Sequence, residues 1–127
     1  MDEKLLYIET FGCQMNEHDS GRIAALLQRR RYRLTDDPEK ADLIVVNTCA
    51  IREKAEHRLY SDLGLLREWK SLRPGRIVGV AGCVAQQEGD AILRRFPQVD
   101  FVFGTHNVRL VPQMLSAAQR GLRSVRI

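Results

Sequence analysis

The residues best suited to chemistry in this chain are its three cysteines, Cys13, Cys49 and Cys83. They are far apart in sequence, yet each stands in a similar local setting. Cys13 sits in "TFGCQMN", just past an apolar run; Cys49 ends "LIVVNTC" and Cys83 ends "IVGVAGC". A thiolate is both a nucleophile and a soft metal ligand, so a thiol repeated at one kind of corner points to metal or redox chemistry. The odd count argues against a disulfide framework. No CxxC occurs, which removes zinc-ribbon pairs and the thioredoxin-type motif. A structural zinc site would need a fourth ligand, for which His106 is best placed, ahead of His18 and His57. An iron–sulfur cluster held by three cysteines needs none and keeps one iron open.

The elements that must position these thiols are read from apolar patterning. Strand-like runs occur at 5–10, 32–34, 43–46, 77–81 and 100–103. Several are continuously apolar, as in strands covered on both faces of a parallel sheet. Helix-like segments alternate with them at 17–30, 50–72, 85–95 and 107–119, with Asn16 and Asn107 as expected caps, and "DDPEKAD" (36–42) reads as a turn. This alternation predicts an α/β fold: a flavodoxin-like three-layer sandwich, with a five-stranded parallel sheet of order 2-1-3-4-5 and helices on both faces. Residues 1–119 form the expected domain, and "RGLRSVRI" (120–127) reads as a tail or the start of a linker.

In that order the cysteine corners follow neighbouring strands 1, 3 and 4 and share the carboxyl edge. Adjacent strands are about 4.8 Å apart, so the outer two corners would lie roughly 10 Å apart, within reach of one small inorganic centre. Helix N-termini at this edge favour thiolates and an anionic cluster. Gly12 and Gly82, each directly before a cysteine, let the backbone turn or approach closely. Around the trio, Gln14, Asn16 and Asn47 could hydrogen-bond a cluster or substrate, or serve turns and caps. Arg52 opposes the dipole preference of its helix start, which suits an anionic partner or an ion pair with Glu53 or Glu56.

Three stretches, "TFGCQMNEHDS" (10–20), "ADLIVVNTCAIREKAEHR" (41–58) and "GCVAQQEGD" (82–90), closely resemble the N-terminal domain of the radical-SAM methylthiotransferases. The resemblance extends through "VDFVFGTHN" (99–107). "GCQMN" with "NTCAIREKAE" is most similar to the MiaB-type tRNA branch, which makes 2-methylthio-isopentenyladenosine. The resemblance implies that Cys13, Cys49 and Cys83 each match a ligand of an auxiliary 4Fe–4S cluster used to insert sulfur at carbon two of the modified adenine beside the anticodon. It also implies tRNA as partner, a radical-SAM domain with a second 4Fe–4S cluster and S-adenosylmethionine, and an RNA-binding domain. The CxxxCxxC of the radical-SAM domain is absent here, so the chain is expected to be part of an enzyme and inactive alone.

Composition narrows the field further. The chain has 127 residues, 44% hydrophobic and 28% charged, enough for one domain with a real core. No apolar run approaches a membrane span and no secretory pattern opens the chain, so a cytoplasmic location is expected. The net charge of +4 suits a nucleic-acid partner, and arginines cluster at 29–31, at 94–95 and at 120, 123 and 126. These clusters also read as solvated helix ends. Two other readings of the residues stay open: a non-enzymatic zinc- or nucleotide-binding module on a flavodoxin-like fold, and a basic RNA-binding domain with incidental thiols. The lack of a glycine-rich phosphate loop weighs against the nucleotide version.

Overall fold

A computed structural model of the chain describes residues 3–10, 14–48 and 53–127. Strand β1 (Lys4–Thr10) leads to helix α1 (Gln14–Gln28), β2 (Tyr32–Leu34) and a 3-10 turn at Pro38–Lys40. Then come β3 (Leu43–Thr48), α2 (Glu53–Ser71), β4 (Ile77–Gly82), α3 (Cys83–Arg95) and β5 (Phe101–Phe103). A 3-10 segment (Thr105–Leu110), α4 (Val111–Gln119) and β6 (Ser124–Arg126) complete the chain.

All strands are parallel, in the order β2-β1-β3-β4-β5-β6. The apolar runs are continuous because both faces are covered. Along β3, Leu43 and Val45 face a core shared with Ile23 and Leu27 of α1 and Met114 and Leu115 of α4. Ile44 and Val46 face the opposite core, with Leu63 and Trp69 of α2 and Ile92 of α3. This period-two split of one unbroken apolar run makes the three layers. Gly79 in β4 belongs to the packing: a Cβ there would lie 2.5 Å from the Phe101 ring.

The sheet has six strands rather than the expected five. Strand β6 lies in the segment read as a tail and pairs along Phe101–Phe103. Its sequence, Ser-Val-Arg, has one apolar residue and no readable period. Its place is set by side chains binding backbone. The Arg123 guanidinium donates to the carbonyls of Val99, Leu93 and Phe96, and Asn107 Nδ2 donates to Arg126 O at 3.1 Å. Asn107 is therefore not the cap of α4; it lies within the 3-10 segment, and the helix starts at Val111 with Pro112 in its first turn. Asn16 is likewise not a cap, because α1 already begins at Gln14. The turn expected at 36–42 does contain one 3-10 turn, with the Asp37 carboxylate accepting from Glu39 N.

A candidate metal centre at the carboxyl edge

Strands β1, β3 and β4 end side by side. Thr10 is in register with Asn47, Asn47 with Ala81, and Thr48 with Gly82. Positions 49 and 83 are thus the immediate successors of a paired couple on adjacent strands, and β1 ends three residues before position 13. The predicted strand neighbours 1, 3 and 4 are observed. Cys83 is the first residue of α3. Cys13, Cys49 and Arg52 lie outside the described residues, as does Gly12. Gln14 and Asn16 occupy the first turn of α1.

Gly82 explains how two of these corners come so close. Its φ is +103°, in the region that side chains with a Cβ rarely adopt, and a Cβ built there would sit 2.0 Å from the Thr48 carbonyl oxygen. Only glycine lets the ends of β3 and β4 meet backbone to backbone. Glycine before Cys83 is thus explained by close approach as well as by the turn.

Beneath this edge a polar knot ties α1 to the sheet. Thr10 Oγ1 and Ser20 Oγ share a hydrogen bond at 2.7 Å, and Asn47 Nδ2 donates to Ser20 Oγ at 3.0 Å. Asn47 is fully buried, which requires such partners. Next to it, the Thr48 hydroxyl is buried and has no hydrogen-bond partner among the described residues. A buried hydroxyl without a partner, one residue before a cysteine, fits an edge built to meet a further group. The donor set of three thiols fits a soft metal centre. Thr10, Ser20 and Thr48 escape sequence reasoning, because a hydroxyl among strand and helix residues carries no pattern of its own; only "NTC" at 47–49 marks one of them.

His106 and His18 are exposed, and among the described residues no three histidine, cysteine or acidic side chains gather as a metal site. Among the described residues, none gathers with His106, the fourth ligand expected for zinc, as a metal site. None of the described helices is long and apolar enough to cross a membrane.

Residues 5–104 match the family described as Uncharacterized protein family UPF0004. The chain is similar over nearly its whole length to three proteins named tRNA-2-methylthio-N(6)-dimethylallyladenosine synthase. It is 51% identical to that of Geobacter sulfurreducens over 99% of this chain and 28% of the relative. It is 57% identical to that of Geobacter metallireducens over 95% of this chain and 27% of the relative. The synthase of Geotalea uraniireducens is 53% identical over 95% of this chain and 28% of its own length. The chain thus spans less than a third of the length of these relatives.

Proposed function

The chain belongs to protein family UPF0004, and from that premise we propose that it is the cluster-bearing N-terminal part of a tRNA methylthiotransferase. Cys13, Cys49 and Cys83 hold an auxiliary 4Fe–4S cluster at the carboxyl edge. The remainder of such an enzyme carries a radical-SAM domain with a second 4Fe–4S cluster and S-adenosylmethionine, and an RNA-binding domain, with residues 120–127 leading toward them. The product is a methylthio group at carbon two of isopentenyladenosine in tRNA, and the setting is the cytoplasm. The observation that carries this reading is the register of Thr48 against Gly82, which supports bringing positions 49 and 83 together. The names and identities of the relatives support the substrate class.

When bound, the cluster supplies sulfide-bridged iron with one coordination position free of protein. The chain's own residues hold and shield it. Gly82 keeps the β3 and β4 ends in contact. The Thr10–Ser20–Asn47 knot fixes α1, and so the approach to position 13, against the strands. Asn47 precedes Cys49 by two residues and is in register with Ala81, which places it beside the cysteine corners. Gln14, Asn16 and Arg52 are near the cysteines in sequence and are proposed to hydrogen-bond the cluster or its substrate. The N-terminus of α3, which opens at Cys83, favours the thiolate there.

Anaerobic reconstitution with iron and sulfide is expected to load about four irons per chain, with the broad visible absorption of a cluster. Cys13→Ala, Cys49→Ala and Cys83→Ala should each abolish it. Wild-type iron content in all three variants would overturn the reading.

A further inference from the structure

We propose that strand β6 is a brace that positions Cys83, and that Gly89 of α3 is its seat. The inference rests on the cluster reading for its purpose, and it gives Gly89, Val125 and Ile127 a positioning role toward that site.

Helix α3 is not one straight rod. Its backbone leaves helical geometry at Glu88, with φ −118° and ψ 16°. The short helical piece that opens at Cys83 is thereby set apart from the piece that ends at Arg95. Gly89 follows the break, and glycine is a residue type found at helix kinks. Its φ is not positive, so backbone freedom does not explain it. Space does. Gly89 is buried, and a Cβ built on it would lie 3.1 Å from Val125 Cγ1 and 3.3 and 3.4 Å from Ile127 Cγ2 and Cδ1. A glycine inside a helix lowers helix stability relative to alanine, and here the close contact with β6 offsets that cost.

The strand that presses on Gly89 is itself held. Ser124, Val125 and Arg126 pair along β5. Arg123 Nε donates to Val99 O at 3.0 Å, and its Nη2 donates to Phe96 O at 3.1 Å and to Leu93 O. Residues 123–127 therefore grip α3 twice, at its last carbonyls and at its break. At the other end of the short piece, Gly82 is pressed on the Thr48 carbonyl. Cys83 thus stands between two close glycine contacts, with Ala85 fully buried in the α2-side core between them. Because β3 fixes Gly82, the tilt of the piece is set where it meets β6. On the cluster reading residues 120–127 also lead to the remainder of the enzyme, so the strand that leads out of the domain sets one corner of the cluster site.

The test reads Cys83 directly. In a Cys13→Ala/Cys49→Ala background Cys83 is the sole thiol, and its alkylation by iodoacetamide is timed at neutral pH without denaturant. Gly89→Ala is expected to change that rate at least about threefold. Adding Val125→Ala makes room for the new methyl and should bring the rate back to within about 1.5-fold of the background. Gly64→Ala in α2, where a Cβ would meet nothing within 4 Å, should leave the rate unchanged. In the chain with all three cysteines, Gly89→Ala should take up at least about twofold less iron on reconstitution than the wild type, and Gly64→Ala should take up as much. The brace is overturned if Gly89→Ala alkylates as the background does, if it loads iron as a loaded wild type does, if Gly64→Ala has the same effect, or if Val125→Ala restores nothing. A wild type that takes up no iron overturns the cluster reading, and the alkylation rates still decide the brace.

Discussion

At the amino edge of the sheet, Lys70 Nζ meets Asp100 Oδ2 at 2.6 Å and Arg73 reaches Asp42 Oδ1 at 2.8 Å. Arg76, buried and stacked 4.4 Å over the Trp69 ring, donates to the carbonyls of Trp69 and Glu39. At the carboxyl edge the described contacts are of another kind: three neutral side chains in a knot, a glycine pressed on a carbonyl, and a hydroxyl with no described partner. Charged groups clamp the strand starts, whereas the contacts described above at the strand ends are made by neutral groups and bare backbone. The difference suggests a division of labour. On the cluster reading proposed above, ion pairs hold the fold together at one end of the sheet and leave the other end for the thiols.

The clamps follow one plan. Asp42 and Asp100 each precede a strand, and each carboxylate accepts a backbone N–H of the neighbouring strand, Leu5 N at 2.8 Å and Val78 N at 2.9 Å. Each also holds a cation from the end of α2 or the turn after it. Burial of Arg76 pushes its guanidinium below the usual range, with Arg73 nearby acting in the same direction. The group stays cationic at neutral pH, since arginine's ordinary value lies far above it.

The comparison can be broken most severely at Gly82. Gly82→Ala adds a Cβ at 2.0 Å from a carbonyl and forces φ of +103° on a side chain, and is expected to cost about 3–5 kcal/mol of stability by urea unfolding. A loss below about 1 kcal/mol would show that the two strand ends are not held in this contact. Next in size is Asp100→Ala, which strands half-buried Lys70 and leaves Val78 N unpaired. It is expected to cost about 2 kcal/mol while the iron content after reconstitution stays at the wild-type level. A loss of iron without a loss of stability would blur the division between the edges. The smallest effect is expected from Thr48→Val, which replaces a hydroxyl lacking a described partner with a methyl of similar shape. Stability should rise or stay within about 0.5 kcal/mol. If the hydroxyl serves the cluster, iron loading falls although the fold does not, and that split would sharpen the contrast between the edges.

Much of the architecture was legible. The runs 43–46 and 77–81 announce buried parallel strands because an apolar stretch without polar breaks needs cover on both faces. The neighbouring of strands 1, 3 and 4 is expected from the flavodoxin-like order 2-1-3-4-5, and the sheet has it. Strand β6 was not legible, because Ser124, Val125 and Arg126 carry no pattern and are placed by Arg123 and Asn107 reaching distant carbonyls. The caps assigned to Asn16 and Asn107 failed for a similar reason: a capping residue type does not exclude a helix that starts earlier or a 3-10 segment that comes first.

Residue order alone carries the alternation of strands and helices, the recurrence of a cysteine just past three apolar runs, and the family resemblance. These are carried by residue type and local period, which do not depend on distant contacts. The fold adds that Thr48 pairs with Gly82 and that Ser20 ties α1 to β1 and β3. Such placements depend on register and on long-range side-chain contacts, and a linear string of residues records neither.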